Sequence, residues 1–135
     1  MFLSIDYGQK YVGLAMADEK LKIALPYKTL ENKGGKFLFD EIKEIIKKEK
    51  INKIIVGRPL GMNSKATEQT KIIDQFIQKL KKVVDLPVES FDERLTSKMA
   101  KTTTNYKSKY KYTNNKNVHA VAAMIILQGY LDSLK

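Results

Sequence analysis

Asp6 closes the apolar run Phe2-Leu3-Ser4-Ile5, and Gly8 follows two residues later. Such a run reads as a buried first strand, so Asp6 stands at the strand's carboxyl end, facing the crevice where open α/β sheets bind ligands. Gly8 lets the backbone turn sharply or come close to a phosphate. Burying a carboxylate costs several kcal/mol unless something pairs with it, and a divalent metal is the usual partner. An acid capping a hairpin turn fits the same residues. The position of Asp6 after a first strand, with a second strand following at once, favours the metal reading.

Three further segments carry candidate chemistry. Gly57-Arg58-Pro59-Leu60-Gly61-Met62 follows the apolar triplet Ile54-Ile55-Val56 and reads as a stiff, open loop. Arg58 there offers a planar fork for phosphate or carboxylate. Asp92-Glu93-Arg94-Leu95-Thr96 follows a fifth strand. Adjacent side chains on extended backbone point to opposite faces, so only one of the two acids turns to the site. Glu93, with the longer reach, is assigned there, and Asp92 to ordering Arg94 or a loop amide. A capping acid with a surface ion pair fits this segment as well. His119 is the sole histidine, and Ala122 and Ala123 lie on its helical face. Small residues let that helix approach the sheet and bring position 119 near Asp6, although a lone histidine also fits a purely structural role.

The formal net charge is +10, which points to a polyanion partner such as nucleic acid. Only Arg58 and Arg94 are arginine, so a lysine-rich background accounts for part of that charge. Between Lys101 and Asn117, Lys107, Lys109 and Lys111 are interleaved with Tyr106, Tyr110 and Tyr112, and no Asp or Glu occurs from Lys101 through Leu131. Lysines track phosphates and tyrosine rings stack on unpaired bases. A solvated loop has the same composition.

These residues need a scaffold. Residues 2–6, 11–17 and 21–25 read as an antiparallel meander that Pro26 ends. Phe37, Leu38, Ile42, Ile45 and Ile46 recur at helical spacing. Ile54-Ile55-Val56 reads as a buried parallel strand, and Gly57 to Ser64 as a loop. A second helix spans 66–82, a fifth strand 87–91, a short helix starts near Thr96, and a final helix spans 118–134. The order β-β-β-α-β-α-β-α-α predicts an α/β fold of the ribonuclease H-like kind. Its five-stranded mixed sheet is flanked by helices, with strand four beside strand one and strand five beyond four. The 135 residues give one domain, 1–135.

Taken together, the segments resemble the YqgF/RuvX family of Holliday junction resolvase-like, pre-16S rRNA processing nucleases. The matching pieces are Ile5-Asp6-Tyr7-Gly8 with Val12-Gly13-Leu14-Ala15, Val56-Gly57-Arg58-Pro59-Leu60, Asp92-Glu93-Arg94-Leu95-Thr96-Ser97, and Ala122-Ala123 with Ile125-Ile126-Leu127-Gln128 and Tyr130-Leu131. The resemblance implies a cytoplasmic nuclease that hydrolyses phosphodiester bonds in structured RNA or branched DNA, with ribosomal precursor particles as partners and Mg²⁺ or Mn²⁺ as cofactor. Asp6, Glu93 and His119 are then both the catalytic and the metal-holding residues, supported by Gly8, Asp92 and Thr96. Arg58, Arg94, Lys107, Lys109, Tyr110, Lys111 and Tyr112 contact nucleic acid. One position departs from the family pattern, which has Asp where this chain has His119. Imidazole suits Mn²⁺ better than Mg²⁺.

Two other functions share parts of this pattern. Actin-like ATPases also place Asp-x-Gly after a first strand, but they close two such domains around ATP. A catalytically silent RNA-binding protein would use the lysine–tyrosine segment alone, with His119 marking lost activity. The chain has no cysteine, which excludes a disulfide framework and a thiolate metal site. No apolar run reaches the length of a membrane span, and no signal peptide precedes the first strand.

Overall fold

The computed structural model describes residues 1–59, 65–92 and 115–134. Three strands come first: β1 (Phe2–Tyr7), β2 (Tyr11–Ala17) and β3 (Ala24–Glu31). Helix α1 (Gly35–Glu49), strand β4 (Lys53–Arg58), helix α2 (Glu68–Val83) and strand β5 (Val88–Asp92) follow, and helix α3 (Asn115–Ser133) closes the described chain. The sheet order is β3-β2-β1-β4-β5. β1 pairs antiparallel with β2 and parallel with β4, and β4 pairs parallel with β5. This is the mixed sheet that the order of elements predicts. The short helix expected near Thr96 lies outside the described residues.

Several boundaries differ from the sequence reading, the final helix beginning at Asn115 rather than 118, and two of the differences have a clear physical reason. β3 runs from Ala24 to Glu31, straight through Pro26, rather than from 21 to 25. Proline lacks the N–H that a central strand needs, but β3 is an edge strand. The ladder shifts register between Leu14 and Ala15 where Pro26 pairs with Ala15, so the irregularity absorbs the ring. The second difference is at β4. Its pairing with β5 continues through Gly57 and Arg58, which are strand rather than loop.

Period-2 alternation sorts the side chains into two cores. Leu3, Ile5, Val12, Leu14 and Val56 face α1 and α2, packing on Leu38, Ile42, Ile73, Phe76 and Leu80. Ala15, Ala17, Ile55 and Phe91 face α3, packing on Ala123, Ile126, Leu127, Tyr130 and Leu131. The α3 face thus pairs small residues on β2 with large ones on the helix. Buried Ser4 belongs to that face and donates its hydroxyl to the Ala123 carbonyl at 2.6 Å. At the far end of the same face, the Tyr130 hydroxyl donates to Glu89 at 2.6 Å and accepts from Lys53 at 3.2 Å, tying α3 to β4 and β5.

Candidate active site

Asp6 sits one residue before the end of β1, half-buried. Two residues earlier, Ser4 points at α3, so alternation turns Asp6 to the α3 face as well. Across the antiparallel ladder the partner of Asp6 is Gly13. A β-carbon at Gly13 would meet the carbonyl oxygen of His119 at 1.9 Å and the amide nitrogen of Ala120 at 2.9 Å. The first described turns of α3 therefore lie directly on β2 at the residue that pairs with Asp6. The backbone of position 119 thus lies over the strand neighbour of Asp6, and the small residue that permits this is Gly13 of the sheet.

The turn that follows Asp6 is equally tight. A β-carbon at Gly8 would lie 2.5 Å from the Tyr11 carbonyl oxygen, so only glycine fits. The Gly8 carbonyl accepts from the Asn32 side-chain amide at 2.8 Å, and the Lys10 carbonyl accepts from the Asn32 backbone N–H at 2.8 Å. One asparagine thus fixes the β1–β2 turn to the end of β3. Tyr11 shares the face of Gly13, and its ring stands 5.2 Å from the half-buried His119 imidazole, tilted by 39°.

Arg58 lies on the other face of the sheet. Its Nε donates to Asp74 Oδ1 at 2.8 Å and its Nη2 to Asp74 Oδ2 at 3.1 Å, a bidentate pair from β4 to α2. Asp92, its cross-strand partner on β5, adds a second negative charge. These contacts hold the guanidinium firmly protonated, with the Asp74 hydrogen bond the largest cause. The same hydrogen bond pulls the Asp74 carboxyl below the ordinary aspartate range. Of the two anions the sequence offers to this fork, the Asp74 carboxylate takes it in this structure. The end of β4 is anchored a second time, where the Thr70 hydroxyl donates to the Pro59 carbonyl at 2.5 Å. Asp92 stands on the Arg58 face, away from Asp6, as alternation predicts for one of the paired acids.

Among the described residues no three His, Asp or Glu side chains converge in a metal-holding cluster. Asp6 stands at the carboxyl end of the central strand β1, and the His119 backbone lies over its ladder partner Gly13; a carboxylate and an imidazole are donor types that divalent ions accept. Glu93, Arg94, Thr96, Lys107, Lys109, Tyr110, Lys111 and Tyr112 lie outside the described residues. Sequence reasoning missed Tyr11, Asn32 and Asp74. A glycine inside a strand, Gly13, is a further signal of the close approach of α3, beside Ala122 and Ala123.

The profile of the RuvX family, described as Holliday junction resolvase, matches residues 1–133. The chain belongs to the RuvX family. A Rickettsia africae protein named "Putative pre-16S rRNA nuclease" is 38% identical over 133 residues, covering 98% of this chain and 86% of the relative. A Maridesulfovibrio salexigens protein of the same name is 38% identical over 129 residues, 96% of each chain. Among solved structures, Thermus thermophilus RuvC in complex with a Holliday junction substrate superposes with a TM-score of 0.60 at 11% identity, covering 99% of this chain and 96% of that one. The fowlpox virus resolvase, bound to Holliday junction DNA, gives 0.55 at 14% identity over 98% and 97%. At these identities the two likenesses show the fold, and it is the ribonuclease H-like resolvase fold. No helix among the described residues is long and apolar enough to cross a membrane.

Proposed function

We propose that residues 1–135 form one cytoplasmic, metal-dependent nuclease domain that hydrolyses phosphodiester bonds in structured nucleic acid. Precursor 16S rRNA is the substrate that the relatives' names favour, and a branched DNA junction is the one that the structural neighbours favour. The observation that carries this reading is the placement of Asp6 at the carboxyl end of β1, paired to Gly13 beneath the His119 backbone, in a chain of the RuvX family.

Asp6, Glu93 and His119 are the residues that would hold Mg²⁺ or Mn²⁺. When bound, such ions lower the pKa of water and neutralise charge on a leaving oxygen. The protein's own part is to place a carboxylate on a rigid strand end and an imidazole on a helix locked to that strand's neighbour. The Arg58–Asp74 pair and the Thr70–Pro59 hydrogen bond hold the end of β4. Arg94 and the segment with Lys107, Lys109, Tyr110, Lys111 and Tyr112 supply contacts to phosphates and unpaired bases, and ribosomal precursor particles are the source of such a strand.

The test is cleavage of structured RNA and of four-way DNA junctions with Mg²⁺ or Mn²⁺, by the wild type and by Asp6→Asn. The expected result is metal-dependent cleavage that Asp6→Asn reduces by more than about 100-fold, the most that losing an outer-sphere partner costs. Binding and thermal stability of the variant stay close to wild type. Wild-type-like cleavage by Asp6→Asn at matched purity overturns the mechanism.

A further inference from the structure

Beside Tyr11 lies a cleft of about 420 Å³ lined by Gln9, Lys10, Tyr11, Glu31, Asn32 and Lys33. That volume is within the range of small-ligand sites. We infer that this cleft takes one unpaired nucleotide of the substrate strand, next to the bond that is cut. The inference rests on the nuclease reading for the identity of the strand, and on the cleft itself for the mode of binding.

Four observations support it. Tyr11 lines the cleft, and its ring stands 5.2 Å from the His119 imidazole, centre to centre. A nucleotide on Tyr11 is therefore adjacent to the candidate active site. The Lys10 ammonium stands over the Tyr11 ring, 5.5 Å from its centre, on a flexible stem that can swing aside for a base and toward a phosphate at the rim. Lys33 stands on the β3 side of the same cleft, and Glu31 beside it repels phosphate, so the strand's backbone runs along the lysines. The two walls are held as one unit by Asn32, whose side chain and backbone donate to the Gly8 and Lys10 carbonyls, each at 2.8 Å. Stacking on such a ring is tolerant of sequence. A base inside a duplex has both faces covered, so the cleft selects an unpaired one.

The experiment measures binding of fluorescent single-stranded RNA and DNA oligonucleotides, and of the matching duplexes, in chelator so that no cleavage occurs. One oligonucleotide carries 2-aminopurine, whose emission falls on stacking. Tyr11→Leu is expected to weaken single-strand binding about tenfold, to abolish the 2-aminopurine quench, and to leave duplex binding unchanged. Tyr11→Phe, which keeps the ring and its packing, behaves as wild type. Lys10→Ala and Lys33→Ala each lower the log–log salt slope by about 0.7. Single-strand affinity within twofold of wild type for Tyr11→Leu, or no single-strand binding by the wild-type protein, overturns the inference. A wild type that shows the Tyr11-dependent quench but cuts no substrate with either metal leaves the cleft standing and removes the nuclease reading. Cleavage without any Tyr11 dependence of binding does the reverse.

Discussion

The carbonyl oxygen of His119 occupies the space in front of Gly13, 1.9 Å from where any other residue would place its β-carbon. The obstacle is helix backbone, which cannot rotate aside as a side chain can. Gly13→Ala is therefore expected to push α3 off β2 and to cost about 3 kcal/mol, the upper end for overpacking. Urea unfolding reads this as a lower midpoint at unchanged slope. Cleavage falls along with stability, because the same contact sets the position of His119 against Asp6. A midpoint equal to wild type would show that α3 docks without this approach.

His119→Asp tests the metal role proposed for position 119. With carboxylate in place of imidazole, the site is expected to move its preference from Mn²⁺ toward Mg²⁺. Initial cleavage rates titrated against each ion check this. Identical ion profiles for the two proteins would place His119 outside the metal site and leave it as a residue that packs on Tyr11.

The Arg58–Asp74 pair makes a prediction about pH. Asp74 has a lowered carboxyl pKa in the folded protein. A group depressed on folding stabilises above its unfolded value and loses that contribution as pH falls through the folded value. With side chains 31% and 44% exposed, the pair is screened and contributes about 0.5 kcal/mol. Asp74→Asn is expected to be less stable than wild type by that amount at neutral pH, with the gap closing below about pH 4, where free aspartate takes up its proton. Denaturant unfolding at a series of pH values measures the gap. A difference that stays constant into acid would assign the loss to packing rather than charge.

At the opposite end of the sheet, Tyr130→Phe removes the hydroxyl that links Lys53 to Glu89. Burial, then the hydrogen bond to Glu89, raises this phenol above the ordinary tyrosine range, so the link persists through neutral pH. The ring contacts with Phe2 and Phe91 survive the substitution. The expected loss is about 1 kcal/mol, read by thermal or denaturant unfolding, with no change in metal preference.

Where the sequence was legible, the reason is local periodicity. Alternation in β1 and β2, the apolar triplet of β4 and the helical spacing in α1 and α2 report burial directly, and the order of those elements restricts the sheet to one arrangement. Pro26 misled because its effect depends on whether its strand is central or at the edge, which is a property of the whole sheet. The partner of Arg58 was hidden for a related reason: Asp74 is set by how α2 lies on β4, and an arginine fork takes carboxylate as readily as phosphate. Position 119 was legible through Ala122 and Ala123, yet the residue that sets the distance, Gly13, sits 106 residues away on the sheet. Tyr11 and Asn32 gave no pattern of their own, since a cleft between two turns has no period.

The dependence of the α3 face on one late helix has a consequence for synthesis. β1 to β5 end at Asp92, and among the described elements α3 alone packs on Ala15, Ala17, Ile55 and Phe91. While a ribosome is still extending the chain, Asp6 is already out of the exit tunnel and His119 does not yet exist. The two can meet only after residues 115–133 have emerged and folded onto Gly13. The α3 face of the sheet thus stays uncovered until the last described helix arrives, a delay written into the order of the elements.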